Sequence, residues 1–162
     1  MPETVSLDRY DLNLLDALQT DAGLTQQELS RRVNLSPSQC SRRRQRLEEA
    51  GVIRRVRAEL DAARLGFGIT VFIHVSLATH SPENSRHFRD LVITTPAIQE
   101  AHMLTGSADY LLKVVVGDLA QLTRLINDVF LPNPGVDRVR SDIVLDSLKA
   151  DNRLPLGRGV GS

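Results

Sequence analysis

The stretch from Leu24 to Ile53, LTQQELSRRVNLSPSQCSRRRQRLEEAGVI, admits few folds. It reads as two short helices joined by a tight turn. Thr25 followed three residues on by Glu28 has capping-box spacing and opens the first helix. Leu29 and Val33, four apart, give that helix one apolar edge. Asn34 and Leu35 make the turn. Ser36 then caps a second helix, Pro37 suits its first position, and Gln39 can close a second capping box. This helix is expected to run to about Ala50, with Gly51 as its stop. Cys40, Leu47 and Ala50 follow helical spacing and should pack inward.

The remaining side chains of the second helix are polar or cationic. An α-helix fits the major groove, where arginine pairs bidentately with guanine and glutamine with adenine. In a helix-turn-helix the N-terminal half of the second helix meets the bases. Base contacts are therefore assigned to Ser38, Gln39, Ser41 and Arg42, and phosphate contacts to Arg43 and Arg46. Ser36 and Gln45 complete the expected DNA-facing set on this helix. A solvated basic helix in a small bundle would show a similar charge run. Two capping boxes around a short turn, ahead of an arginine cluster, favour DNA.

Charge is segregated along the chain. The total is neutral, with 20 basic and 20 acidic residues. Between Arg31 and Arg57, nine arginines face only Glu48 and Glu49, a local net of +7, whereas residues 1–30 carry six acids and one arginine, a net of −5. A local positive patch supplies the field that counterion release at DNA requires, and a neutral total should limit indiscriminate binding.

With one cysteine, an internal disulfide framework is excluded, and a reducing, cytoplasmic setting is expected. Cys40 falls on the inward face and reads as a small core residue rather than a redox sensor. The acidic, polar N-terminus does not read as a signal peptide. The longest apolar run, Ile69 to Ala78, is too short to span a bilayer and contains His74, so no membrane association is expected.

Residues 1–60 read as a winged helix-turn-helix domain, with the motif at about 26–45. Asp8 can cap a helix in which Leu7, Tyr10, Leu14, Leu15 and Leu18 share a face. After Gly51, VIRRVRAEL suggests a short strand or wing from which Arg54, Arg55 and Arg57 reach the DNA backbone. Residues 61–68 read as a hinge. Gly66-Phe-Gly68 lacks the third glycine or lysine of a phosphate loop. From residue 69 to 150 the texture gives strand, helix, two strands around a Gly106-centred connection, helix, strand. This βαββαβ order is the ferredoxin-like pattern, an antiparallel sheet with both helices on one face, so the whole chain is α+β. The bare sheet face should pair with a second subunit. Residues 151–162 are expected to form a mobile tail.

Four ordered blocks now resemble one family: LDRYDLNLLDALQ, LSPSQCSRRRQRLEEAGVI, QEAHMLTGSADYLLKV and PGVDRVRSDIVLDSLK. The chain resembles the leucine-responsive/asparagine-responsive (Lrp/AsnC, feast/famine) transcriptional regulators over nearly all of Leu7 to Leu154. The resemblance implies dimers joined through the sheet, often built into tetramers or octamers, and a small effector, usually an amino acid, bound in the C-terminal domain between dimers. It implies no other cofactor and control of amino-acid metabolism genes. The matching stretch gives Thr105, Gly106, Ser107, Ala108, Asp109, Tyr110, Leu111 and Leu112 as the pocket wall, with Ser141 adding a hydroxyl. Gly106 would let the backbone approach a ligand, and Asp109 could accept from an α-ammonium. Taken alone, Gly106 to Tyr110 would more often be a plain turn.

Two residues depart from the family pattern. Arg44 lies on the inward side of the second helix, where relatives usually carry an aliphatic residue, and would have to snorkel outward to phosphate or shift the seating of the helix. Ala108 replaces a frequent aromatic residue, which implies a roomier pocket and a larger or aromatic effector. The four histidines, His74, His80, His87 and His102, lack metal-ligand spacing and nearby acidic partners, and His102 matches a family position with a structural hydrogen-bonding role. No nucleophile triad or paired carboxylates suggests an enzyme. An alternative reading is a metabolic sensor or enzyme-regulatory module whose helix-turn-helix serves association; an enzyme on a ferredoxin-like scaffold ranks behind both.

Overall fold

The computed structural model describes residues 5–156. Each of its first three helices starts where the sequence supplies a reciprocal cap. Asp8 and Asp11 close a capping box on α1 (Arg9–Thr20). Thr25 and Glu28 do so on α2 (Gln26–Val33). Ser36 and Gln39 do so on α3 (Pro37–Glu49), with Pro37 in its first turn. Each box satisfies backbone N–H groups that a helix start leaves without partners. Asn34 takes the left-handed conformation at φ 54°, which ends α2 and turns the chain into α3. Gly51 at φ 69° stops α3 in the same way. A side chain there would be strained, and the reversal is fastened by an Ile53 N–H to Leu47 C=O bond of 3.0 Å.

Leu14, Leu15, Ala17, Leu29, Val33, Cys40 and Leu47 form the core that these helices share. Leu7 and Leu18 pack at its edge, as the α1 pattern predicts. Two inward expectations fail. Ala50 is exposed because it caps the helix rather than continuing its buried face. Tyr10 is 44% exposed and lies under the Arg43 guanidinium, 5.5 Å from its ring centre.

The expected strand is absent from the described residues: 54–60 are exposed and belong to no ladder. Alternation alone does not make a strand, because ladder hydrogen bonds require a partner and none pairs with it among the described residues. The hinge holds a short 3₁₀ turn, Ala63–Leu65, ended by Gly66 at φ 86°.

The C-terminal elements are β1 (Ile69–Leu77), α4 (Pro82–Thr94), β2 (Ile98–Met103), β3 (Tyr110–Val116), α5 (Leu119–Leu125) with a π turn at Ile126–Phe130, and β4 (Val136–Ile143). The four strands run antiparallel in the order β2-β3-β1-β4. Strand periodicity sends Val71, Ile73, Val75 and Leu77 to one face, with Leu112, Val114 and Val116 beside them. Phe88 of α4, Leu122 and Leu125 of α5 and Phe130 join the same cluster, so both helices cover that one face. Each fully buried aliphatic or aromatic side chain contributes roughly 1.5–3 kcal/mol.

The chain forms two compact units, residues 60–148 on one side and 1–59 together with 149 onward on the other. The last described residues therefore return to the N-terminal unit rather than forming a loose tail. Gln19 brackets Leu154 by donating to its C=O (3.2 Å) and accepting from its N–H (2.7 Å), and Leu156 packs at the edge of the helical core. The final GRGVGS segment lies outside the described residues.

Candidate functional site

Helical geometry sorts the α3 side chains into distinct faces. Ser38, Ser41, Arg42 and Gln45, spaced by three and four, share an outward face and are all exposed. The Ser36 and Ser38 hydroxyls lie 3.1 Å apart at its N-terminal end, and the Gln45 amide donates to Glu49. Gln39 is exposed too, but its side-chain oxygen accepts from the Ser36 N–H at 2.9 Å, leaving its NH₂ group to point elsewhere. Arg42, Arg43, Gln45, Arg46 and Glu49 line a shallow cleft along the helix.

The four arginines of α3 differ in their partners. Arg43 Nη1 donates to Asp8 Oδ2 and Asp11 Oδ1, both at 2.7 Å. Arg46 donates to the other oxygen of Asp11 while half its side chain stays exposed. Arg44 bonds Glu48 on its own helix at 2.9 Å. The side chain of this inward position thus reaches outward to a carboxylate on its own helix. Among the described residues, no acidic side chain lies within ion-pair distance of Arg42, Arg54, Arg55 or Arg57. Arg43, assigned to phosphate from the sequence, is thus paired within the domain instead of standing free. Its guanidinium is held inside the domain by two carboxylates and an aromatic ring.

Asp11 is fully buried, the one charged residue in the core set of the described residues. Sequence reasoning missed its role. Asp8 was legible as a cap, but nothing local signals that Asp11 meets arginines 32 and 35 residues away. Cys40, also buried, has its thiol pKa pushed up by desolvation, partly offset by the nearby Arg43 charge.

In the C-terminal unit, residues 105–109 form the bend between β2 and β3. Thr105, Gly106 and Ser107 are exposed, while Ala108 is 9% exposed, so its small side chain does not open onto the loop surface. Asp109 fastens the bend. Its N–H donates to Val75 C=O (3.0 Å), its C=O accepts from Leu104 N–H (2.8 Å), and its Oδ2 accepts from Leu77 N–H (2.7 Å). The carboxylate expected to await an ammonium is thus largely engaged by backbone, with its second oxygen facing His80 at 3.5 Å.

Tyr110 stacks on Phe88 with ring centres 4.6 Å apart. Leu111, half-buried, pairs with His74 on the face away from the helices. Leu112 is fully buried in the core, where strand alternation turns its side chain toward α4 and α5. Ser141 pairs with Ile73, placing the whole of β1 between it and β3, about 10 Å across two strand spacings. The fold therefore brings 105–110 together and leaves Leu112 and Ser141 apart from them. The histidines also need correction, since three have an acidic neighbour: His74 with Asp142 (3.2 Å), His80 with Asp109, and His102 with Glu100 (3.4 Å). None of these belongs to a cluster of three potential metal ligands among the described residues.

A capped helix-turn-helix with outward polar and cationic side chains, joined to an α/β sandwich with a built loop, defines a DNA-binding transcriptional regulator with a ligand-binding domain. Residues 7–54 match the winged helix-turn-helix DNA-binding model, and residues 70–154 match the Lrp/AsnC ligand binding domain. The chain belongs to the Lrp/AsnC family. It is 38% identical over 148 residues to the leucine-responsive regulatory proteins of Klebsiella pneumoniae and Escherichia coli, covering 91% of this chain and 90% of theirs. Among solved structures it is similar to a Neisseria meningitidis transcriptional regulator in complex with L-Met, at 36% identity and a TM-score of 0.91, covering 94% of this chain and 98% of that one. An AsnC family regulator from Agrobacterium tumefaciens matches at 35% identity and a TM-score of 0.87, over 93% and 97%.

Proposed function

We propose that α3 reads the major groove through Ser38, Gln39, Ser41, Arg42 and Gln45, and that Arg46, Arg54, Arg55 and Arg57 hold phosphates. Ser36 anchors the start of the helix as its cap. The observation that carries this reading is the state of Arg42: exposed, at the centre of the outward face, and without an acidic partner among the described residues. Such a guanidinium can meet a guanine edge bidentately without first breaking an ion pair.

The effector is an amino acid, as the L-Met complex of the Neisseria relative supports. It is received at Thr105, Gly106 and Ser107, where the loop offers hydroxyls and backbone groups. A Cβ added at Gly106 would meet nothing within 4 Å, and its φ is not left-handed, so the chain by itself does not require glycine there. That open space leaves room for close approach of a ligand or of a second subunit. Tyr110, Leu111 and Asp109 support the loop from behind. The protein works in the cytoplasm as a dimer or larger assembly built on the sheet face that α4 and α5 leave open. It regulates amino-acid metabolism genes rather than catalysing a reaction.

The test is binding of the purified protein to its own upstream DNA across a salt series, with and without pooled amino acids. The expected result is steep salt dependence, a log–log slope of about −0.9 per phosphate contacted, and a shift on adding the pool. Arg42→Ala should flatten the ranking of operator variants, costing roughly 1–3 kcal/mol at the cognate base. Arg55→Ala should weaken all sequences alike. Salt-insensitive or absent binding by an intact oligomer would favour a sensor module that uses the helix-turn-helix for association.

A further inference from the structure

The N-terminal cap of α1 and the arginines of α3 form one closed network. Asp11 Oδ1 accepts from Arg43, while Asp11 Oδ2 accepts from both Arg46 and the Asp8 N–H. Asp8 Oδ1 accepts from the Asp11 N–H at 2.8 Å, and Asp8 Oδ2 accepts from Arg43. The Tyr10 ring closes the far side of the Arg43 guanidinium. Two carboxylates and two guanidiniums balance. The capping box that starts the first helix is therefore also the grip on the DNA-reading helix.

We propose that Asp8 and Asp11 are positioning residues for DNA recognition, which fix α3 through Arg43 and Arg46, withdraw Arg43 from the phosphate backbone, and leave Arg42 as the arginine of α3 that reads sequence. This rests on the assignment of α3 as the reading helix. It goes further in dividing the arginines by task. The same geometry would limit indiscriminate DNA binding by a helix with four arginines. Non-specific affinity grows with each cation that reaches a phosphate, and here one cation is withheld completely and a second is tied by one arm. A helix held at two points one turn apart cannot rotate about its axis, so the Arg42 face keeps a fixed aim at the groove. The Arg43 pKa is raised by its bonds to Asp11 and Asp8, and the Asp8 pKa is lowered chiefly by the Asp11 N–H, both in the sense of a clamp held charged.

Asp11→Asn tests the idea on the full-length protein. Asn keeps the volume but presents an NH₂ toward donors, so at least one arginine is released. On non-specific DNA the log–log salt slope should steepen by about 0.9, the value for the one phosphate contact that a released Arg43 adds. The ratio of operator to non-specific affinity should fall at the same time. If this variant melts the domain, Arg43→Gln takes its place: the non-specific slope should stay at the wild-type value while the same ratio falls. A slope shallower by about 0.9 in Arg43→Gln would make Arg43 a phosphate contact and overturn the proposal. So would an Asp11→Asn protein that melts lower yet keeps both slope and ratio, since a purely structural bond predicts that result. Wild-type protein that shows no salt-dependent DNA binding overturns the reading-helix assignment itself, a failure visible before any substitution is made.

Discussion

What a charged side chain does in this protein depends on whether the fold gives it a partner. Asp151 is the clearest case on the surface: Arg153 donates to it from Nε, Nη2 and its backbone N–H, holding its pKa down to about 2. Glu28 is also depressed, first by the Thr25 hydroxyl, and Glu100 first by Lys113. A carboxylate depressed in the folded state adds stability that is present above its unfolded pKa of about 4 and disappears as pH falls through the folded value. Denaturant midpoints should therefore drop as pH is lowered from about 4 toward 2. In the Asp151→Asn variant the difference from wild type should be largest above pH 4 and should close near pH 2. A difference that stays constant across that range would mean that Asp151 acts through its shape or backbone rather than its charge.

Helices were legible because their signals are local. Caps, a turn and an apolar edge lie within four residues of one another, and the structure puts α2 and α3 where Thr25, Ser36 and Gly51 predict. Ser36→Ala should test how much one such signal contributes. It removes the acceptor for the Gln39 N–H and leaves the Gln39 side chain to bond alone, at a cost of about 1 kcal/mol. Urea unfolding should show that loss in the N-terminal unit, with Ser36→Asp restoring most of it, since Asp supplies an equivalent oxygen near the positive end of the helix. No recovery with Asp would imply that Ser36 is constrained by its contact with Ser38 rather than by capping. The strand expected after Gly51 failed for the complementary reason. Residues 54–57 show alternation, yet a strand exists only where a second one lies beside it, and that information is absent from the segment itself. The Asp11–Arg43 and Asp11–Arg46 pairs were invisible on the same ground, being contacts between helices that no periodicity encodes. The opposite facing of Leu111 and Leu112 is not visible in a motif of consecutive residues, whereas a strand sends alternate ones to opposite faces.

At the scale of the whole chain, strand order and helix placement followed from the βαββαβ pattern, but the path of the last residues did not. Polar, glycine-containing tails are usually loose, and only the tertiary contacts tie 149–156 to α1. The N-terminal unit is thus assembled from both ends of the chain, and the ligand-binding unit between them is connected to it by two covalent strands rather than one. A discontinuous unit of this kind should lose stability when its second segment is loosened, even though that segment lies more than 100 residues from the helices it touches. Leu156→Ala trims a half-buried side chain at the edge of the helical core, so roughly 1–2 kcal/mol is expected, below the 2–5 typical of a fully buried leucine. Gln19→Ala removes both bonds to the Leu154 backbone at exposed sites, for about 1 kcal/mol more. The two share the same segment, so their effects should be less than additive. Amide hydrogen exchange resolved by unit is the measurement. Protection should fall across α1 and the core residues of α2 and α3, while β1 and β3 keep theirs. Equal loss in both units would mean that the segment stabilises the chain as one cooperative body. No loss in either would mean that in solution the N-terminal core is complete without its C-terminal strap.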